Sequence, residues 1–248
     1  MTIQNDAQLR GLTRVCRIVA SVLAAMQAHA RAGMTTAELD AFGEQLLLAA
    51  GAAPAPRKVY GFPGATCISV NEEVAHGIPG ERALAAGDVV NVDVSAELDG
   101  FYGDTGGSFV IPPTDALKER LLAVTRRARD DGIRAATANG LVSHVSKAIE
   151  RVARRTGFRV IRNLTSHGVG EALHEEPSIY NYFDPRDTRR FHAGQVITVE
   201  PFLATKSNRV EEREDGWTLA VRRGSHAAQF EHTIMITRNT PLILTLPH

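Results

Sequence analysis

Four carboxylates occupy positions where a β-patterned sequence ordinarily places apolar side chains. Asp93 lies between Val92 and Val94, and Glu200 closes Val196-Ile197-Thr198-Val199. Glu231 lies between Phe230 and His232, ahead of Ile234-Met235-Ile236, and Asp104 sits in the run Tyr102-Gly103-Asp104-Thr105-Gly106. A strand-centre aspartate is disfavoured by propensity, and an ionised carboxylate buried without a partner is very costly. Any one of them alone reads as a solvent-facing residue or half of an ion pair. Four in separate strands do not, and residues 88–111 contain neither Lys nor Arg. If the four converge, positive charge must come from elsewhere, and a pair of divalent cations would balance them. An oxygen-rich set of this kind suits Mn, Fe, Co or Zn in an open catalytic site, not a closed structural zinc site.

The nitrogen comes from histidine. Of the nine histidines, His29, His144, His192, His226 and His248 lie in polar or helical contexts and carry no signal. His167, in Ser166-His167-Gly168-Val169-Gly170, is flanked by glycines that permit close backbone approach. His76 in Ala75-His76-Gly77-Ile78-Pro79 and His174 in Leu173-His174-Glu175-Glu176-Pro177 occupy similarly punctuated loops. The acids beside His174 are expected to favour its charged form.

The elements that must position these groups follow from periodicity. Apolar residues Val15, Ile18, Val19, Val22, Leu23 and Met26 predict an amphipathic helix over 7–31. Thr35 with Glu38 is a capping box that opens a second helix, which Gly51 ends. Residues 52–64, with three prolines, read as a loop. In 88–95, Val90, Val92 and Val94 share one strand face while Asn91, Asp93 and Ser95 share the other. A paired strand follows over 101–111. Two helices are predicted at 114–139 and 143–156, then strands at 158–165, 195–203, 216–222, 228–237 and 241–246. Helices, strands, helices, strands is an approximate repeat, and segregated helices with antiparallel strands argue an α+β fold. No low-complexity linker divides residues 1–248, so a single catalytic domain with short N-terminal helices is expected.

Composition sets the limits. The chain has 248 residues, 44% hydrophobic, with 28 basic and 28 acidic side chains. That excludes a disordered chain and argues against nonspecific nucleic-acid binding as the main activity. Two cysteines, Cys16 and Cys67, give neither a disulfide framework nor a zinc pattern. No run approaches the ~20 apolar residues of a membrane span, and the first residues lack a signal-peptide pattern, so a cytoplasmic protein is expected. Only residues 118–162 are charge-biased, with twelve Lys/Arg against four acids.

Together these residues resemble the methionine aminopeptidases, specifically the shorter type I enzymes of bacteria. The resemblance is carried by Ser69-Val70-Asn71-Glu72 with His76-Gly77-Ile78-Pro79, then Asn91-Val92-Asp93-Val94 and Gly103-Asp104-Thr105. It continues through His167-Gly168-Val169-Gly170, His174-Glu175-Glu176-Pro177, Thr198-Val199-Glu200-Pro201 and Gln229-Phe230-Glu231-His232-Thr233. It covers nearly the whole chain. It implies a pita-bread fold, two pseudo-symmetric halves around a curved antiparallel sheet. It implies two divalent ions per chain (Co, Mn, Fe or Zn) held by Asp93, Asp104, His167, Glu200 and Glu231, with Asp104 and Glu231 bridging. His76 and His174 would face the substrate, and Phe62, Cys67, Leu173 and Trp217 would line the methionine pocket. Two departures stand out: Leu173 where many type I enzymes carry Phe, and Gly106-Gly107 in place of bulkier polar residues.

The implied activity is removal of the N-terminal methionine from nascent proteins when the second residue is small. In that reading Glu200 shuttles protons, His174 donates to the developing oxyanion and His76 supports the substrate nitrogen or the leaving amine. The partners implied are N-terminal peptides, with a monomeric enzyme and a contact to the ribosome through the basic stretch 118–162; the plainer reading of that stretch is two solvated helix faces. Only 33 residues separate His167 from Glu200, which leaves no room for the large helical insertion of type II enzymes. Two alternatives stay open: a prolidase or aminopeptidase P, whose chains usually carry a further N-terminal domain, and a non-catalytic binding module, whose relatives typically lose the metal ligands.

Overall fold

The computed structural model describes residues 1–247; His248, read above as carrying no signal, lies outside them. The N-terminal half opens with helix α1 (Asp6–His29), capped by the Asn5 side chain, and α2 (Thr36–Ala49), opened by the Thr35–Glu38 capping box. A two-residue strand β1 (Ala53–Pro54) leads into a short helix α3 (Ala55–Tyr60). Then come β2 (Cys67–Val70), β3 (Glu73–Ala75) and the long hairpin β4 (Val89–Leu98) and β5 (Phe101–Val110). The second half repeats the order, with α4 (Ala116–Ala135) and α5 (Val142–Thr156) followed by strands. These are β6 (Arg159–Val160), β7 (Thr165–Gly168), β8 (Glu175–Tyr180), β9 (Val196–Val199) and β10 (Phe202–Ala204). The rest are β11 (Glu211–Glu212), β12 (Leu219–Ala220), β13 (Ala227–Gln229), β14 (His232–Met235) and β15 (Leu242–Ile243). The α+β repeat expected from periodicity is therefore present.

All strand pairs are antiparallel. In the first half β4 pairs with β5 along one edge and with β2 and then β1 along the other; in the second, five strands run β15-β14-β9-β7-β8. Each half buries its own apolar layer. Leu12, Val15, Val19 and Met26 of α1 pack with Leu39 of α2 on Val90, Val92 and Val94 of β4. Leu121 of α4 and Val145 and Ile149 of α5 pack on Ile197, Val199, Phe230 and Ile234. Burying a side chain of this size contributes about 1.5–3 kcal/mol, so the valine face of β4 commits its other face, with Asn91, Asp93 and Ser95, to the seam between halves.

That seam is polar and is tied by hydrogen bonds to the backbone. Thr233 Oγ1 donates to the carbonyl of Asp104 at 2.7 Å, Thr105 Oγ1 to the carbonyl of Glu231 at 3.0 Å, and Glu231 N–H to the carbonyl of Gly106 at 2.9 Å. The two sheets thus meet where the sequence places its buried acids.

Several expectations are corrected. Residues 52–64 are not all loop: Pro54 and Pro56 sit at the start of α3, where proline's fixed φ suits a first turn, and Gly61 at φ 69° ends it. Glu175–Tyr180 form strand β8 and not a loop, because Pro177 lies on an edge strand where no neighbour needs its missing N–H. Strands expected at 195–203 and 228–237 are each broken, at Glu200-Pro201 and at Phe230-Glu231. Two of the four acids therefore lie in strand breaks, not within strands. The basic stretch is partly neutralised: Arg129 pairs with Asp130, Arg134 with Asp131, and the Arg126 guanidinium lies 4.5 Å over the Phe230 ring.

Candidate active site

Asp93 and Asp104 reach the seam from adjacent strands, Asp93 opposite Gly106 and Asp104 opposite Ser95. His167 comes from β7, with its N–H donating to Thr198 Oγ1 at 3.1 Å and its Nδ1 2.9 Å from the Gly168 carbonyl. That contact turns Nε2 toward Glu200 Oε1 at 3.2 Å and Asp104 Oδ2 at 3.7 Å. Thr198 Oγ1, having accepted from His167, donates to Glu200 Oε1 at 2.8 Å, and Glu200 N–H donates to Ser166 Oγ. The strand break at Glu200 leaves its N–H free for this side-chain bond.

Glu231 is the deepest of the acids, 1% exposed. Its Oε2 accepts from Gln229 Nε2 at 2.9 Å, and Gln229 Oε1 accepts from Asn91 Nδ2 at 2.9 Å. Asn91 also donates to Ser108 Oγ at 3.1 Å. This relay accounts for one departure noted above. A Cβ on Gly106 would lie 2.9 Å from Gln229 Cδ and closer to its amide atoms, so glycine there makes room for the amide.

Asp104, His167 and Glu231 each bring one ligating atom within 4.8 Å of the others, the one such group among the described residues. Asp104 Oδ1 and Glu231 Oε1 are buried with no hydrogen-bond partner among those residues. Buried polar atoms are almost always satisfied, so two orphaned carboxylate oxygens in one cluster fit cations that complete them. The protonation behaviour agrees. Burial, then the neighbouring acids Asp104 and Glu200, push Asp93 well above the usual carboxylate range, and burial with Asp104, Glu200 and Asp93 does the same to Glu231. Burial raises Asp104 to about 7 despite the opposing charge of His167. His167 goes the other way: burial disfavours its charge, but the hydrogen bond and charge of Glu200 outweigh that and raise it to about 9. Acids that cannot all ionise together lack positive charge, which divalent ions supply.

Above the cluster opens a cavity of about 660 Å³. Asp93, Asp104, His167 and Glu200 form its polar floor, and Phe62, Cys67, Leu173 and Trp217 line its apolar part with His76, His174 and Tyr60. Every residue expected at the site thus lies in or directly beneath this cavity. Phe62 and Trp217 meet edge to face at 5.3 Å. Burial and the nearby Asp93 and Asp104 push the Cys67 thiol well up, so it presents a neutral, polarisable surface. A wider groove of about 760 Å³ beside α1 and the end of α2 contains no acid or histidine and has no comparable chemistry.

His76 adopts φ 55°, a left-handed conformation that non-glycine residues reach rarely. Gly77 follows because any Cβ there would strike the Ile68 backbone. One expectation about His174 is overturned. Glu175 is taken up by the Met1 amino group and by the N–H groups of Glu171 and Ala172, and Glu176 by Ser178 N–H. The ring instead feels burial and its neighbours His167 and His76, which push it down to about 3. All three causes act in one direction, toward a neutral imidazole. The sequence reading also missed Tyr60, whose hydroxyl lies 2.6 Å from His174 Nδ1; it sits in the segment taken for loop, where no periodicity points to it.

Two repeated α+β halves that leave buried carboxylate oxygens unsatisfied beside a histidine, at the floor of a cavity, point to a metal-dependent enzyme. Residues 10–238 match metallopeptidase family M24, and the chain belongs to that family. Within it, the chain is 46% identical to methionine aminopeptidase 2 of Bacillus subtilis, covering 99% of each, and 42% identical to a methionine aminopeptidase of Staphylococcus epidermidis. Among solved structures, the methionine aminopeptidase of Thermotoga maritima superposes with TM-score 0.95 at 34% identity, covering 99% of both chains. A prolidase from Pyrococcus furiosus shares the pita-bread fold at TM-score 0.80 and 21% identity, and this chain covers 66% of it.

Proposed function

We propose that this chain removes the N-terminal methionine from nascent proteins whose second residue is small, as a type I methionine aminopeptidase of the bacterial kind. The observation that carries the reading is that Asp104, His167 and Glu231 bring ligating atoms together while Asp93 and Glu200 join Asp104 and His167 on the floor of a cavity whose other walls include Phe62, Cys67, Leu173 and Trp217. Full-length likeness to methionine aminopeptidases supports it over the prolidase alternative, for which the fold alone speaks. Intact acids and His167 speak against a non-catalytic module.

Asp93, Asp104, His167, Glu200 and Glu231 would hold two divalent ions drawn from Co, Mn, Fe and Zn, with Asp104 and Glu231 shared between them. When bound, such ions supply Lewis acidity and lower the pKa of a bound water toward neutrality. The chain does the rest. Phe62, Cys67, Leu173 and Trp217 bury the unbranched thioether side chain and exclude water around it. Glu200, steadied by Thr198, takes and returns the proton. His174, neutral, donates its ring N–H to the oxyanion that develops on the scissile carbonyl. His76 supports the substrate nitrogen or the leaving amine.

The same reading makes residues 1–248 one catalytic domain, a monomer of the cytoplasm; no helix among the described residues is long and apolar enough to cross a membrane. A ribosome contact through 118–162 is part of it, and phosphate contacts of that kind weaken steeply with salt. Association unchanged between low and physiological salt would remove that part. The test of the whole is bound-metal content together with turnover of a Met-Ala-X peptide against an X-Pro dipeptide. Metal with Met-Ala-X turnover is expected; X-Pro preference would establish the prolidase reading, and neither metal nor turnover the binding module.

A further inference from the structure

We propose that Tyr60 is a positioning residue for His174, its phenol hydroxyl donating to His174 Nδ1 and so fixing the ring's proton, and its donor capacity, on Nε2. The proposal rests on the functional reading above and deepens it.

The geometry is a single bond with no competitor. Tyr60 Oη lies 2.6 Å from His174 Nδ1, the one hydrogen bond of that ring among the described residues. A neutral imidazole has one N–H and one bare nitrogen, and the partner of one nitrogen decides the state of the other. A phenol hydroxyl is a ready donor, and burial followed by the charge of Asp104 raises the Tyr60 pKa further, keeping the proton on oxygen. Donation into Nδ1 leaves Nε2 carrying the hydrogen. His174 needs such a partner because it sits in the irregular segment between β7 and β8, where no regular backbone pairing constrains it. The His167 ring lies 4.3 Å and the Tyr60 ring 5.6 Å from it between centroids.

Tyr60 is in turn held in place. It ends α3, which Arg57 ties to Glu44 of α2 and Lys58 ties to Glu97 of β4 at 2.5 Å. Gly61, in the left-handed region, stops the helix directly after Tyr60. The bond therefore joins the two halves of the molecule across the cavity mouth, and a rigid element of one half sets a ring carried by the other. Because Tyr60 is nearly half exposed, 48%, its hydroxyl has little other structural work.

The experiment compares wild type with Tyr60→Phe, which keeps the ring and removes the hydroxyl. Nitrogen-15 NMR of labelled histidine, on the metal-free and the zinc-loaded chain, should show His174 as the Nε2–H tautomer in wild type and a tautomer mixture in Tyr60→Phe. Turnover of Met-Ala-X should fall on the order of tenfold in kcat, the scale for losing a histidine's orienting partner. KM, metal content and melting temperature should not move. Val59→Ala, on the same helix and exposed, should leave all of these at wild-type values. In a His174→Ala background, Tyr60→Phe should cause no further loss. An Nδ1–H tautomer in wild type, an unchanged kcat in Tyr60→Phe, or a kcat loss accompanied by a lower melting temperature would each overturn the proposal. A wild type without Met-Ala-X turnover would instead reject the functional reading, while the tautomer measurement would still decide the Tyr60 bond.

Discussion

Replacing Gly106 by alanine tests how the deepest acid is held. Gly106 has an ordinary backbone conformation, so alanine meets no backbone strain, and the whole effect comes from its Cβ. That atom would press on the Gln229 amide, which is fully buried and engaged at both ends, by Asn91 and by Glu231. The amide cannot step aside without releasing Glu231 Oε2. A hydrogen bond to a charged acceptor contributes about 1.5–3 kcal/mol, and about 1.4 kcal/mol is tenfold in affinity. Metal affinity should therefore fall roughly 10- to 150-fold, read by titration with buffered metal and elemental analysis after dialysis. Gly107→Ala is the control: its Cβ meets the end of Gln27, a partly exposed side chain that can swing into solvent, so metal affinity should stay near wild type. Gln229→Ala should match Gly106→Ala, and the double variant should be no worse than either, since both remove one interaction. Wild-type affinity in Gly106→Ala would show that Gln229 is free to move and that the relay does not hold Glu231.

Asp104→Ala should lose bound metal and activity together, because on the proposed reading it removes a ligand shared by two ions and leaves the other acids repelling one another; two ions per chain with ordinary turnover would sink that assignment. Trp217→Ala should keep its fold and its metal and raise KM for methionine substrates, since Trp217 is half-exposed and contributes an edge contact to Phe62; early melting without a selective KM change would make it a structural residue. Metal loading at pH 7 should expel protons, because His167 is raised to about 9 and Asp104 to about 7, burial and the neighbouring acids push Asp93 and Glu231 up as well, and ligands must be deprotonated to bind. The sign follows from the raised values: uptake weakens as pH falls, and calorimetry in buffers of differing ionisation enthalpy reads the proton count, with none released contradicting the shifts.

Much of this protein was legible without coordinates. Period-two valines at 90, 92 and 94 determined which face of their strand goes inward, because apolar burial decides strand orientation. They thereby directed Asp93 to the other side. Acids without basic neighbours announced a cation site, since an unpaired buried charge has few other remedies. Helix limits at Thr35, Gly51 and Gly157 are capping or left-handed positions, and such chemistry is local; proline at 54, 56 and 177 misled because its meaning depends on whether a neighbour needs the missing N–H.

What only the tertiary structure decided is long-range. Glu200 and Glu231 lie in strand breaks, where Glu200 donates its N–H to Ser166 within the second half and Glu231 donates its N–H across the seam to Gly106, partners that no local pattern predicts. Gly106 is glycine because of an amide 123 positions later (229 − 106). His174 is kept neutral by His167 and His76, not charged by the glutamates beside it, because a folded chain sets electrostatics by distance in space. Tyr60 reaches His174 across 114 positions of chain. Local sequence determines which conformations a segment can take; only packing of the two halves brings separate side chains to hydrogen-bond distance, and the chemistry of the site depends on those distances.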